Sequence, residues 1–299
     1  LVLTLENAAI QLTVAPDIGA RVTKLIDLRN GRDWLVGGRS AHQPDENADY
    51  TAQSARGWDE CFPTVAPCQS PDWGRRLRDH GDIWGRRVEC EQNEAGIQST
   101  FFGSGYRFTR RLSLHDETVV ADYWLENTGS SARPYLWSQH CLLNCNEDDR
   151  LSLVGIGEME VSYNSETAEV SARNFNWPKF DSNHPDLTHI EPQTACWAAK
   201  TYAPIASVVD ASVMGADGGA ITFSWLRKDI PFLGLWLDYG GWPANEPVHQ
   251  VAIEPTNAPA DDLAAAVSRG LAPRILPGET HFWSVSITLS QTNNSKVPS

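Results

Sequence analysis

No stretch of eighteen consecutive apolar residues occurs in this chain. A bilayer-spanning helix needs about 20, so no segment is a candidate for one. Basic charge is scarce as well: 24 Lys and Arg stand against 38 Asp and Glu, a net charge of −14. Nucleic-acid binding needs a basic field that releases counterions from phosphate, and an anionic membrane surface selects for the same field. Both are excluded as partners. Cysteine is sparse and unpatterned, with six in 299 residues and no CxxC. That excludes a disulfide-dense scaffold and reads as mostly buried thiols in a reducing compartment, hence a cytoplasmic protein. Cys141 and Cys145 lie near His140, but a structural zinc site needs four ligands at finger-like spacing. No second cluster supplies them, so no metal site is expected. The start, LVLTLENAAIQLTVAP, has no basic run before an apolar stretch, so no signal peptide is read there. Helical patterning is confined to Asp261–Arg269, and neither an internal repeat nor an interdomain linker stands out.

What is present is hydrophobic content of 41% with 12 Trp, ample for a large core. Short strand-like runs dominate. LTLE, AIQLTVAP and ARVTKLIDL open the chain; RVECEQ, GIQSTFFGS, YRFTRRLSLH and TVVADYWLENT follow; RPYLWSQHCLLNC, IASVVDAS, AITFSWL and HFWSVSITLS come later. Turns every 8–12 residues among them predict a sandwich or barrel. Residues 37–56 read as a long polar loop, 57–87 as irregular, and 176–204 as loop-rich. The expectation is one all-β domain over residues 1–289, with a polar, disordered tail at 290–299.

The stretch Phe232–Leu263 carries the most information. FLGLWLDYGG and VHQVAIEP read as two strands around a Gly- and Pro-rich connection. By strand alternation Gln250, Ala252 and Glu254 share one face, and Val251 and Ile253 the other. Pro255, which has no N–H for the ladder, is expected to stop the strand. Read alone, Glu254 is a solvated carboxylate at a strand exit. His140 shares a strand face with Leu136, Ser138 and Leu142, where a satisfied core histidine is the plain reading. It is also the side chain suited to moving protons near neutral pH. His80 sits in the loop RDHGDIWG before Gly81. Trp58, Trp73, Trp84, Trp236 and Trp242 are candidates for stacking on a sugar ring, since indole offers a flat apolar face and one N–H.

Four blocks in order carry a resemblance: GARVTKLIDL; GWDECFPTVAPC followed by DHGDIWG; WSQHCLLN; and VAIEPTNAPADDL. Together they resemble the aldose 1-epimerase (galactose mutarotase-like) family over most of the chain. The resemblance implies a β-supersandwich of large antiparallel sheets. It implies that Glu254 acts as general base on the anomeric hydroxyl, His140 as general acid on the ring oxygen, and His80 as a sugar-binding residue. Neither metal nor organic cofactor is implied, and the partner is a small-molecule carbohydrate bound by a monomer or homodimer.

The sequence also departs from its relatives. They place an arginine shortly before the His-Gly block; here that region reads Pro67-Cys68, and Arg75, Arg76 and Arg78 come later. Arg78 is carried forward as a binding candidate, with a phosphorylated or acidic hexose in view should an arginine face the pocket. Asp59 and Glu60, next to Trp58, are untypical and are expected to contact substrate along with Trp84 and Trp236. Asp181 and Asp238 both remain open as the binding aspartate. The implied activity is interconversion of the α and β anomers of an aldose. The alternative is a carbohydrate-binding or sensing protein on the same fold, because a fold hosts many functions.

Overall fold

A computed structural model describes residues 2–37, 49–51, 54–167 and 173–291. Among them, two large antiparallel sheets account for most of the strands. The eleven-stranded sheet runs in the order Leu3–Glu6, Ile10–Ala15, Arg21–Asp27, Trp58–Cys61, Ser138–Leu143, His249–Thr256, Phe232–Tyr239, Trp197–Pro204, Glu158–Asn164 and Arg173–Asn176, with Arg32–Asp33 paired beside Arg21–Asp27. The eight-stranded sheet runs Arg150–Val154, Val208–Met214, Gly219–Leu226, Thr280–Gln291, Thr118–Glu126, Tyr106–His115, Gly96–Gly103 and Glu89–Asn93. The expected all-β supersandwich is the observed architecture.

Sequence alternation explains how the layers meet. In Thr118–Glu126, and from Trp283 to Leu289 within Thr280–Gln291, every second residue is buried, as a sheet with one wet face requires. The larger sheet differs: Ser138–Leu143 is buried at every position, and His249–Thr256 at all but the first. Its inner face packs on the second sheet. Trp137 stands 5.0 Å from Trp283 and 4.9 Å from Tyr123, ring centre to ring centre. Each fully buried large apolar side chain stabilises the fold by about 1.5–3 kcal/mol. The outer face of the larger sheet is covered by loops, and it carries the site.

Several expectations are corrected. Pro255 does not stop its strand. The ladder continues to Thr256, which pairs with both Ser138 and Phe232. Residues 57–68 are not all irregular, since Trp58–Cys61 is an interior strand between Arg21–Asp27 and Ser138–Leu143. Its two carboxylates obscure the pattern, but each is matched by a buried arginine. Trp197–Pro204 is also an interior strand rather than loop; WAAKTYAP is buried on both faces and so shows no alternation. Within 69–87, Cys68–Ser70 and Arg75–Leu77 pair as a small hairpin. The short helix falls at Leu263–Ser268, capped by the Asp262 carboxylate. Residues 292–299 of the expected tail and most of the 37–56 loop lie outside the described residues, and the strand Thr280–Gln291 reaches two residues into the tail.

Candidate active site

Three adjacent strands build the floor. Ser138 pairs with Thr256 and Leu142 with Ala252, and this register brackets His140 and Glu254 at the same level and on the same face of neighbouring strands. Directly opposed residues on neighbouring strands have Cβ atoms about 4.5–5.5 Å apart. On the other side of Ser138–Leu143, Cys61 faces Ser138 and Asp59 faces His140. Gly234 stands opposite Glu254 and Tyr202 opposite Gly234. A Cβ on Gly234 would lie 3.1 Å from the Tyr202 ring and 3.3 Å from Glu254 Cβ, so glycine keeps this row uncrowded.

Glu254 is fully buried, not solvated. Its Oε2 accepts from Ser138 Oγ at 3.0 Å and pairs closely with the Lys200 ammonium. Its Oε1 has no hydrogen-bond partner among the described residues. One oxygen is therefore anchored and the other left unmatched. Leaving a buried polar atom unmatched costs about 1–3 kcal/mol, more for a charged one, so Oε1 has the capacity to accept a hydrogen bond from a group entering the cavity.

His140 is buried, and its Nδ1 lies 3.3 Å from the Tyr50 hydroxyl. Burial first, then the neighbouring His80, Lys200 and Arg21, holds its pKa well below the usual histidine value. The resting imidazole is neutral. Tyr50 is held above its ordinary pKa, by burial and then by Asp59, and stays a phenol. Its ring stacks on His80 at 3.5 Å and 6°. His80 Nδ1 meets Asp79 Oδ1 at 3.0 Å, and its ring centre lies 4.9 Å from that of His140.

A local constraint delivers His80. It has φ +56°, a left-handed conformation rare for a side-chain-bearing residue. The following Gly81 has φ +77° and bridges to Phe62 so tightly that a Cβ would fall 2.1 Å from the Phe62 carbonyl oxygen. The glycine that completes the His-Gly pair thus clamps His80 beside the strand carrying Cys61.

These groups surround an open cavity of about 280 Å³. Glu254, Lys200, His140, His80, Asp79 and Tyr50 form its polar side; Trp236, Trp242, Tyr163, Val65, Ala55 and Ala66 supply apolar wall, with Gln250 and Asp261 at the edge. Trp236 and Trp242 meet edge to face at 6.2 Å. Asp261 accepts from Tyr202 at 2.8 Å and from Ser162.

Of the residues singled out in the sequence, Glu254, His140, His80, Trp236 and Trp242 converge on this cavity. The others stand elsewhere. Trp58 and Glu60 point from their strand to the inter-sheet core. There Glu60 accepts from Trp58, Arg110, Tyr123 and Trp137 at 2.8–3.0 Å. Asp59 is on the site face but sits below the cavity wall, bound by Arg21 at 2.6–2.9 Å. Strand alternation forbids all three from facing one ligand. Trp84 is buried, donates to the Asp79 carbonyl at 2.7 Å, and lies under the Arg78 guanidinium at 3.8 Å. This pair backs the His80 loop and is not part of the cavity lining. Asp238 is buried below Trp242: its Oδ1 accepts from the Gly241 and Trp242 N–H groups at 3.0 and 3.1 Å. Burial pushes its carboxyl up to about 7 against those N–H bonds. Asp181 caps a separate turn around His184. Sequence reasoning missed Lys200, Tyr50, Asp79, Tyr163 and Gln250. Cys141 and Cys145, weighed with His140 as metal ligands, are buried apolar-core residues. A different set, Cys61, His80 and His140, places one ligand atom each within 4.8 Å of the others.

No family model matches the sequence, and no curated protein matches it. Solved structures do match. A putative aldose 1-epimerase from Escherichia coli K12 superposes with a TM-score of 0.71 at 14% identity, over 98% of this chain and 99% of its own. A galactose mutarotase related enzyme from Lactobacillus acidophilus gives 0.69 at 15% identity, over 99% and 100%. A galactose mutarotase-like protein from Clostridium acetobutylicum gives 0.71 at 12% identity, over 97% and 95%. This chain has the galactose mutarotase-like fold. At such identities the likeness is one of architecture. What a mutarotase-like chain does depends on the side chains its own sheet presents.

Proposed function

We propose that the protein binds an aldose in this cavity and interconverts its α and β anomers. The observation that carries the reading is the pairing across the sheet. A neutral histidine and a buried carboxylate with one unmatched oxygen stand opposite each other on the floor of a single cavity. About 280 Å³ falls just below the usual ligand-pocket range of about 300–1,000 Å³, which suits a monosaccharide rather than a polymer.

Glu254 Oε1 takes the proton of the anomeric hydroxyl while Oε2 stays fixed by Lys200 and Ser138. The bond from C1 to the ring oxygen breaks, C1 becomes an aldehyde, and the ring oxygen takes a proton from His140 in its imidazolium form. Rotation about the bond between C1 and C2 presents the other carbonyl face. Ring closure then returns both protons. Because burial keeps His140 neutral at rest, the productive form is a minor one until the bound sugar offers its ring oxygen. His80 is suited to hydrogen-bond a sugar hydroxyl beside it, and Trp236 and Trp242 to cover apolar C–H faces. Each proton-transfer partner contributes typically ~10²–10⁴-fold.

One observation favours a second reading. Lys200 holds Glu254 Oε2 in a buried ion pair, which already gives the carboxylate a partner within the protein. A carbohydrate-binding or sensing protein tolerates that pair without cost to its task. Anomer exchange measured by NMR over free and phosphorylated aldoses separates the two. The enzyme reading expects exchange with at least one sugar and a loss of ~100-fold or more in Glu254→Gln or His140→Asn. Sugar binding without exchange supports the sensor.

A further inference from the structure

Cys61 has no part in anomer exchange, yet it stands beside the two histidines that do, and the three together offer a donor set that reaction does not need. Cys61 is fully buried, forms no disulfide, and lies on the cavity side of its strand opposite Ser138. Its sulfur and one ring nitrogen from each histidine lie within 4.8 Å of one another. We propose that these three side chains form a site for a borderline-soft divalent cation of the zinc type, with a fourth position open to the sugar cavity.

The donor set fits such an ion. Zinc takes cysteine sulfur at about 2.3 Å and histidine nitrogen at about 2.0–2.1 Å, which places neighbouring donors about 3.3–3.7 Å apart around a tetrahedral ion. Side-chain rotation of about an ångström closes the observed triangle. Thiolate with two imidazoles selects zinc or cobalt over calcium and magnesium, which require oxygen. Outer partners that orient ligating histidines are already in place. Asp79 holds His80 Nδ1 and the Tyr50 hydroxyl meets His140 Nδ1, so Nε2 is the free nitrogen on each ring. A carboxylate, backbone carbonyl or water on the second nitrogen is the usual support of a metal-bound imidazole; Asp79 is such a group, and the Tyr50 oxygen stands in the place of a water. The strained backbone at His80, clamped by Gly81, fixes that ring next to Cys61 before any ion arrives. On binding, a sulfur–zinc bond forms, the Cys61 thiol proton passes to solvent, and both imidazoles stay neutral. No redox partner is involved.

The test is metal titration of the full chain carrying Cys196→Ser, which removes an exposed thiol. Zinc affinity is read by competition with a chromophoric chelator, and cobalt(II) by its spectrum, without sugar. One zinc per chain is expected. Cobalt should show a near-ultraviolet thiolate-to-metal band and the intense visible bands of a tetrahedral site. Cys61→Ala should weaken zinc by ~100-fold or more, and Asp79→Asn by about 10-fold, while Cys141→Ala, altered on the core face, leaves affinity unchanged. The cobalt spectrum uses the Cys61 side chain as it stands, so it decides the matter even where Cys61→Ala folds poorly. Cobalt bound without a thiolate band, zinc affinity indifferent to Cys61, or no binding of either ion overturns the proposal. Because no sugar is present, these outcomes bear on the metal site alone; an ion on His140 would take away its transferable proton, so the anomer-exchange assay is run with chelator present and stands or falls separately.

Discussion

At the scale of single residues, the site is governed by which charges are matched. Lys200 and Glu254 are both buried and answer each other. Removing one member of a buried pair leaves an uncompensated charge at a cost of about 3–5 kcal/mol. Lys200→Met is therefore expected to lower stability by about that much in chemical denaturation, whereas Lys200→Met combined with Glu254→Gln recovers part of the loss. A single-variant loss under about 1 kcal/mol would show that the pair is hydrated rather than buried. The sequence made some of this legible and hid the rest. Alternation in VHQVAIEP correctly put Gln250, Ala252 and Glu254 on one face, and the stretch around His140 put Ser138 beside it on the strand. Lys200 was invisible because its strand, WAAKTYAP, is buried on both faces and carries no period. Tyr50 was invisible for another reason. It reaches the cavity from a long polar stretch whose sequence says nothing of where it folds back.

At the scale of elements, strands supply the floor and two short turns set the walls. The Trp58–Cys61 strand shows what a sequence reading without register loses. Trp58, Asp59 and Glu60 looked like one cluster of binding residues, but a period of two sends Trp58 and Glu60 to the core and Asp59 and Cys61 to the site. Two elements give predictions. Gly81→Ala forces a Cβ to within 2.1 Å of the Phe62 carbonyl at a left-handed φ. It is expected to cost more than the about 1–3 kcal/mol of such backbone strain alone and to weaken sugar binding by displacing His80; calorimetry and thermal unfolding measure both. The turn carrying Trp242 is tied to Asp238, whose carboxyl ionises at about 7 in the fold against 3.8 for the free group. Between those values the unfolded chain has released the proton and the folded chain retains it. Stability from this group therefore falls as pH rises through the window and is level above it. Asp238→Asn keeps an acceptor for the Gly241 and Trp242 N–H groups and removes the slope. The fall in melting temperature from pH 5 to pH 8 should be smaller in the variant, and an equal fall refutes the assignment.

At the scale of the whole molecule, two sheets must stay in register for the outer face of one to hold a site. Glu60 on the larger sheet and Arg110 on the smaller join them at 3.0 Å, with Tyr123 and Trp137 completing the carboxylate's bonds. Arg110→Met should destabilise by about 3–5 kcal/mol through the stranded carboxylate, read as a lower denaturation midpoint, and Glu60→Gln in the same chain should restore part of it. The strand-rich architecture was legible from short runs with frequent turns, and the family resemblance named the sandwich. The order of strands was not legible, because pairing partners such as Trp58–Cys61 and Ser138–Leu143 lie far apart in the chain. Most direct for the central assignment is exchange NMR on an equilibrated aldose, comparing the native chain with folded Glu254→Gln. Cross-peaks between α and β anomers should build up rapidly with native protein and about 100-fold more slowly with the variant. Equal exchange in both would remove Glu254 from the chemistry.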